Sequence, residues 1–275
     1  MLPPLVTVII PCFNAARVLP AAVESVLAQA DVGVELVLVD DCSIDETREV
    51  AHSLARAHSN IVVLAHAANA GPGPARNTGL RRAKSEFVCF LDADDAYLPG
   101  FFSAALRHFR ENSKVSAVYT GIELVDCPHE VDRLHVAGAM NFMPSNKMLR
   151  RTTIEAIGGF PEDTTFRTGM GGEDGAFFQV LRKYFLTLLD LTVYCRYHVG
   201  LNSHFSRFVK RTRIEEGKIV FVELEPIERS GALTAAVLAF EKRFVDRCNA
   251  LRDSAVFPDH KGALTPEMTT PLIVR

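Results

Sequence analysis

Asp92-Ala93-Asp94-Asp95 sets three carboxylates side by side, directly after the unbroken apolar run Phe87–Leu91. A short run of that kind reads as a strand buried on both faces, so the acids stand at its carboxyl end. Like charges in that place repel one another unless a cation compensates. Carboxylate oxygens suit Mg2+ or Mn2+, hard ions commonly shared with substrate phosphates. Two further apolar runs end in useful groups: Val6–Ile10 leads into Pro11-Cys12-Phe13-Asn14, and Val34–Val39 into Asp40-Asp41. In an open parallel sheet, ligands bind beyond the carboxyl ends of the strands. Together these residues suit a nucleotide whose phosphates are neutralised through a divalent cation. Other phosphate-binding devices are missing. No GxGxxG follows the first strand and no GxxxxGK[ST] occurs, which argues against a dinucleotide-dependent dehydrogenase and a P-loop NTPase.

The elements that must position these groups alternate between strand and helix. Apolar residues recur with helical spacing through Ala15–Ala30, with Pro20 early enough to be tolerated in the first turn. Ser43-x-x-Glu46 has the form of a capping box for a helix to about His58. Ile61–Leu64 predicts a third strand, Gly71-Pro-Gly-Pro74 a turn, and Pro74 the start of a helix to about Lys84. Strands separated by such helices imply right-handed crossovers and a mostly parallel central sheet, an α/β fold. The pattern loosens past residue 115. Val115–Gly121 reads as a strand, and residues 122–145 as loops made polar by His129, Glu130, Asp132, Arg133 and His135. Residues 147–160 read as a short strand and a helix closed by Gly158-Gly159. Thr164–Gly172 reads as a loop, followed by a helix from Glu173 to about Tyr184. Residues 231–253 predict an amphipathic helix with Leu233, Val237, Phe240, Phe244 and Leu251 on one stripe. That stripe must bury itself against the body, a second subunit or a membrane surface. The tail from Phe257 is expected to be irregular.

The chain's 275 residues, 48% of them hydrophobic, are enough for one large α/β domain with an appendage, and rule out disorder of the body. A net charge of −3 gives no global reason to bind nucleic acid. The six cysteines are scattered, without a CxxC pair, as expected of buried thiols in a reducing compartment. The N-terminus lacks the basic start of a signal peptide, and Leu5–Ile10 is too short to span a bilayer. A cytoplasmic protein is expected, with peripheral contact at the inner face of a membrane left open.

The stretches VTVIIPCFNAARVLPAAVESVLAQ, ELVLVDDCSIDET, NAGPGPARNTGLRRAKSEFVCFLDADD and GGEDGAFF, in this order, resemble the signatures of family 2 glycosyltransferases with the GT-A fold. The resemblance covers roughly residues 5–185. It implies a Rossmann-like sheet flanked by helices and an inverting transfer of a sugar from a nucleotide diphosphate, UDP above all, to an acceptor hydroxyl. It also implies Mn2+ or Mg2+ as cofactor and a role in polysaccharide or glycan biosynthesis. By resemblance, Pro11, Phe13, Asn14, Asp40 and Asp41 line the base pocket, and Arg76 and Ala93 lie near the donor. Asp92 and Asp94 form the Asp-x-Asp motif and hold the metal, and His198 stands where some relatives place a further metal ligand or phosphate contact. Asp174 matches the catalytic base, with Glu173 beside it for the acceptor. The partners implied are a nucleotide sugar and a glycan or lipid-linked acceptor, with a homo-oligomer through the C-terminal helix as a further expectation. The division expected is a nucleotide-sugar-binding part at 1–121, an acceptor-binding and base-bearing part at 122–205, and a C-terminal helical extension and tail at 206–275.

Plainer roles exist for each of these groups. Asp40 and Asp41 can cap the turn after their strand, and the Arg76 stem can simply cover its helix. Glu173 and Asp174 can serve the dipole of the helix they open. His198 and His204 are isolated histidines. Arg207, Lys210, Arg211 and Arg213 can form a solvated face, or else close over the diphosphate or touch anionic lipid. Two other functions compete: a nucleotide-sugar-binding protein without catalysis, and a nucleotidyltransferase. The latter usually carries a basic Gly-rich loop after its first strand, which Pro11–Asn14 does not supply.

Overall fold

The computed structural model describes residues 5–29, 32–128, 130–167, 172–200, 203–222, 231–252 and 273–274, with 250–252 and 273–274 as backbone alone. Expectations for Ala30, His129, residues 168–171, the Leu251 side chain and most of the tail lie outside these residues.

The unbroken apolar runs become the centre of the sheet. β1 (Val6–Cys12), β2 (Val34–Asp40), β3 (Ile61–Ala65) and β4 (Phe87–Phe90) pair in parallel in the order β4-β1-β2-β3. Cys12 lies opposite Asp40, and Ile9 opposite Phe90, so their carboxyl ends share one edge. The joining helices are α1 (Leu19–Leu27), α2 (Thr47–Ala57) and α3 (Pro72–Arg82). Two local expectations fail for identifiable reasons. The capping box of α2 does not form, because Ser43 Oγ accepts from the Asn14 amide at 3.1 Å and Asp45 Oδ1 instead receives Thr47 N at 3.0 Å. The third helix begins at Pro72 rather than Pro74, with Gly71 before it at φ 93°. Glycines let α3 lie close on its neighbours. A Cβ on Gly79 would stand 2.4 Å from Ile9 Cγ2, and one on Gly73 would stand 2.9 Å from the Pro161 carbonyl.

The second half of the sheet is mixed. β5 (Ala96–Tyr97) and α4 (Phe101–Glu111) precede β6 (Ala117–Val125), α5 (Arg133–Phe142), β7 (Lys147–Arg150) and α6 (Arg151–Ile157). α7 (Glu173–Tyr184) has the predicted bounds and leads to β8 (Thr187–His198). β7 runs antiparallel between β4 and β6, while β6 and β8 are parallel. α5 occupies part of the segment expected to be loop. The polar residues behind that expectation are its N-terminal cap: Asp132 Oδ1 accepts from Leu134 N at 2.8 Å, and the His135 ring accepts from Asp132 N.

After β8 come α8 (His204–Lys210), the hairpin β9 (Thr212–Glu215) and β10 (Lys218–Phe221), then α9 (Ala232–Arg252) and β11 (Ile273–Val274). Residues from 206 onward are therefore only partly helical. β11 joins β8 and completes a nine-stranded sheet, which the order β11-β8-β6-β7-β4-β1-β2-β3 describes with β5 on β8. The apolar stripe of α9 is buried within its own chain. Phe240 and Phe244 are buried beside α7, and Glu241 accepts from Lys183 Nζ at 2.5 Å and Tyr184 Oη at 2.6 Å. No described helix is long and apolar enough to cross a membrane.

Candidate active site

A cleft of about 920 Å³ opens beyond the carboxyl ends of β1, β2 and β4. Pro11, Phe13, Asn14 and Asp41 line one end; Asp92, Ala93 and Asp94 line its middle. Arg76, Glu173, Asp174 and His198 line it as well, so the residues matched to donor, metal and base gather in one place with one exception, while Asp95, Lys210, Arg211 and Arg213 are not on its wall. The exception is Asp40, fully buried and absent from the cleft wall. Its carboxylate accepts from Ser43 N at 3.1 Å and from Arg48 Nε at 2.8 Å, which holds its pKa below the usual carboxylate range against the opposing effect of burial.

The two strand-end loops brace each other at the Pro11–Asn14 end. Asn14 adopts φ 50°, a left-handed conformation that Asn tolerates, and its Oδ1 accepts from Ile44 N at 3.0 Å. Asp41 Oδ2 accepts from Gly71 N at 2.7 Å; its Oδ1 accepts from Ala70 N at 2.9 Å and lies 2.6 Å from His66 Nδ1. Thr78 Oγ1 accepts from Arg81 and lies 2.9 Å from His66 Nε2, while the Asp41 carboxylate can only accept. His66 Nδ1 is then the protonated nitrogen and donates to Asp41. His66 directly follows β3, the strand-end position that picks out Asp41 and Asp92, so the same rule marks it. Arg167 adds a strap by donating to the Asn69 carbonyl at 2.7 Å.

Arg76 joins the two groups of acids. Its Nη2 donates to Asp92 Oδ1 at 2.8 Å and its Nη1 to Glu173 Oε1 at 3.0 Å, with the side chain 3% exposed. It is an ion-pair bridge rather than a stem covering a helix. Burial works against its charge, but Asp92, Glu173 and Asp174 together hold it protonated. The adjacent Asn77 donates to Phe160 O and accepts from Phe160 N, both at 2.8 Å, and so fixes the turn after Gly158-Gly159. Glu173 and Asp174 do open a helix, yet Glu173 is committed to Arg76 while Asp174 is half-buried on the cleft. Burial, and next the charge of Glu173, push the Asp174 carboxyl up to about 7, against the opposing pull of Arg76 and the Gly175 amide.

The donor atoms at the centre of the cleft fit a divalent ion. Burial, and next Asp92, raise the pKa of Asp94, while His198 lowers it, so these groups sense one another directly. His198 Nδ1 is buried without a hydrogen-bond partner among the described residues. Asp95 is not available as a ligand. It is 1% exposed and is spent on Ser145 Oγ at 2.5 Å and on His198 N at 3.1 Å. Ser145 Oγ also accepts from Asp92 N at 3.1 Å, tying the acidic turn to the segment before β7. Among the described residues no three His, Cys, Asp or Glu side chains form a metal-holding group by themselves. An ion here would complete its coordination with water or substrate oxygens, as Mg2+ held by one or two carboxylates commonly does.

The rest of the cleft wall comes from parts the sequence did not mark: Phe142, Met143 and Pro144 at the end of α5, and Phe208 on α8. His204 and Arg207 of α8 also line it, and Arg207 Nη2 donates to the His204 ring at 3.3 Å.

Known proteins resemble this chain in sequence and in fold. The Bacillus subtilis glycosyltransferase TuaG, named for teichuronic acid biosynthesis, is 36% identical over 122 residues, which are 44% of this chain and 48% of that protein. The succinoglycan biosynthesis protein ExoO of Rhizobium meliloti is 33% identical over 123 residues, 45% of this chain and 34% of that one. The matches thus span about half or less of these curated relatives. Among solved structures, residues 1–349 of Staphylococcus aureus TarS in complex with UDP-GlcNAc superpose with a TM-score of 0.62 at 21% identity, covering 92% of this chain and 77% of that one. The mannosyltransferase PcManGT of Pyrobaculum calidifontis, in complex with GDP-Man and Mn2+, superposes at 0.57 with 20% identity, covering 93% and 77%. These two share the fold. The family model for glycosyl transferase family 2 matches residues 7–188, from the first strand through the Glu173-Asp174 helix into β8. With two thirds of its length under that match and its acids gathered at the strand ends, this chain belongs to glycosyl transferase family 2.

Proposed function

We propose that the protein is an inverting, metal-dependent glycosyltransferase that moves a sugar from a nucleotide diphosphate, UDP in preference, to an acceptor hydroxyl in the building of a polysaccharide or other glycan. The observation that carries this reading is the meeting of Asp92, Asp94 and Asp174 around one cleft whose far end is formed by Pro11–Asn14 and Asp41. In this reading Pro11, Phe13, Asn14 and Asp41 hold the base, while Asp40 braces their loop through Arg48. Asp92, Asp94 and His198 would hold Mn2+ or Mg2+, which when bound offsets the charge that develops on the leaving diphosphate. Arg76 sets the distance between Asp92 and the start of α7. Asp174 takes the proton of the acceptor hydroxyl as that oxygen attacks the anomeric carbon from the side opposite the diphosphate. The carbon–oxygen bond to the diphosphate breaks as the new one forms, so the configuration inverts. A carboxyl with a pKa of about 7 suits that task, being about half ionised at neutral pH and basic enough to accept a proton.

In this reading residues 1–121 serve the donor, 122–205 the acceptor and base, and 206–275 close the cleft and cover α7. The TarS complex with UDP-GlcNAc and the PcManGT complex with GDP-Man and Mn2+ support a nucleotide-sugar donor and a divalent ion. A panel of UDP- and GDP-sugars, scored by nucleoside diphosphate release with Mn2+ and with EDTA, tests it. Release from one donor, lost in EDTA, is expected. No release from any donor with metal present would overturn the reading.

A further inference from the structure

Lys147 is a charged side chain in a place that is costly to occupy. It is 0% exposed, and among the described residues it pairs with no carboxylate. Burial, and next the charge of Arg182, lower its pKa well below the usual lysine range. Its ammonium donates to the carbonyls of Met140, at 2.9 Å, and Met143, and to Asn146 Oδ1 at 2.7 Å. It lies 4.5 Å from the ring centre of Tyr119 and 4.4 Å from that of Phe178. Met140 belongs to the last turn of α5, whose carbonyls lack partners inside the helix. The next carbonyl, on Asn141, accepts from Arg182 Nη1 at 2.6 Å, and the same guanidinium lies 5.0 Å from the ring centre of Phe142. The end of α5 is thus closed by two basic side chains, one from β7 and one from α7, the helix that begins with Glu173 and Asp174. A positive charge at a helix C-terminus is favourable, but a single surface lysine would give that benefit without the cost of burial.

What these two side chains hold is a stretch of the cleft wall: Phe142, Met143 and Pro144. Ser145, next in the chain, ties the same segment to Asp92 and Asp95. We propose that Lys147 and Arg182 are positioning residues for the acceptor, a two-donor latch that fixes the end of α5 against the helix carrying Asp174. The proposal rests on the glycosyltransferase reading for the identity of the acceptor, but not for the latch itself. The hydrogen bonds of Ser145 to Asp92 and Asp95 involve neither Lys147 nor Arg182, and none of the bonds that these two make to the end of α5 reaches Pro11–Asn14 or Asp41, so donor binding is expected to outlast loss of the latch.

The test uses the full chain with Lys147→Met, Arg182→Met and the charge-preserving Arg182→Lys. Calorimetry with UDP and Mn2+ reads the donor side, hydrolysis of a UDP-sugar by water reads the chemistry without an acceptor, and para-nitrophenyl glycosides serve as acceptor probes. Both methionine variants are expected to raise the acceptor KM at least tenfold, with UDP affinity and hydrolysis within twofold of the parent and Arg182→Lys partly restored. Amide hydrogen exchange across residues 141–146, measured without any substrate, should quicken in the same variants while residues 11–14 stay unchanged. Unchanged exchange in folded variants, or a parallel loss of UDP binding and acceptor use, overturns the proposal. If Lys147→Met does not fold, the Arg182 pair decides. A parent protein that processes no nucleotide sugar would defeat the glycosyltransferase reading alone, and the exchange experiment would still decide the latch.

Discussion

Replacing Asp174 by Asn removes one proton-accepting oxygen while keeping size and shape. In the native protein burial and the neighbouring Glu173 lift this carboxyl from 3.8 to about 7, which at 1.36 kcal/mol per pKa unit corresponds to roughly 4 kcal/mol. That figure is an upper bound, since Glu173 and Asp174 share one field. A carboxyl whose folded pKa exceeds its unfolded value holds its proton more tightly when folded. It therefore favours the fold at low pH and loses that contribution as pH rises from about 4 to about 7. The amide that replaces it has no charge to bury, so Asp174→Asn should be more stable than the parent at pH 8, by about 1 to 4 kcal/mol, and should lose the advantage near pH 4. Activity should move the other way. The chemical step should fall by roughly 10² to 10⁴ with donor affinity held within a few-fold. The parent's kcat/KM should drop about tenfold per pH unit below pH 7 as the base protonates. Urea denaturation at pH 4 and pH 8, beside turnover and calorimetric donor binding, measures all three. Near-parental turnover by the variant would remove Asp174 from the mechanism. A stability difference that does not change with pH would refute the account of its raised pKa.

Three further outcomes follow from the same geometry. EDTA should abolish transfer and Mn2+ or Mg2+ restore it, and Asp94→Ala should weaken donor binding in calorimetry without lowering Tm, because Asp94 lines the open cleft, forms no ion pair among the described residues and has its charged form disfavoured there; full activity in chelator would sink the metal assignment. Arg76→Met leaves Asp92 and Glu173 without their shared partner and should destabilise the fold by roughly 3–5 kcal/mol in urea unfolding, the usual cost of half a buried ion pair. Truncation after residue 230 uncovers the α7 surface under Phe240 and Phe244, each worth about 3–5 kcal/mol when deleted from a core, and should give an aggregating protein by light scattering.

The first half of the fold is readable in the sequence because its strands are buried on both faces. Val8, Ile9, Ile10 and Leu36 through Val39 are all fully buried, so each strand appears as an unbroken apolar run with a visible end. Errors there are errors of boundary. α3 starts two residues early because Gly71 supplies the turn, and the start of α2 is set by Asp45 because Ser43 is engaged across the cleft mouth. α5 was hidden for a different reason. Its buried residues are only His135 and Ala139, so no apolar stripe signals it, and its capping pair Asp132 and His135 looks like loop chemistry. The hairpin β9–β10 is likewise too short and too mixed in composition to announce itself: its Lys218–Phe221 strand holds no fully buried side chain.

The site divides along the same physical line. Where chemistry is attached to a strand end, topology alone brings residues together: β1, β2 and β4 are parallel neighbours, so Asn14, Asp41 and Asp94 had to share an edge once the strands were identified. Where it depends on pairing between distant segments, no local pattern carries it. Arg76 meets Glu173 across 97 positions, and Ser145 meets Asp92 across 53. An arginine reads the same in a sequence whether it covers a helix or bridges two carboxylates, and only the fold separates the cases. The same holds for Lys147, which from composition is one of many surface charges and in the fold is a buried cap on a helix end. A charged residue adopts such a place only where several partners converge to satisfy it. The convergence, not the residue, marks such a place, and here it joins the helix that begins with Glu173 and Asp174 to the end of α5.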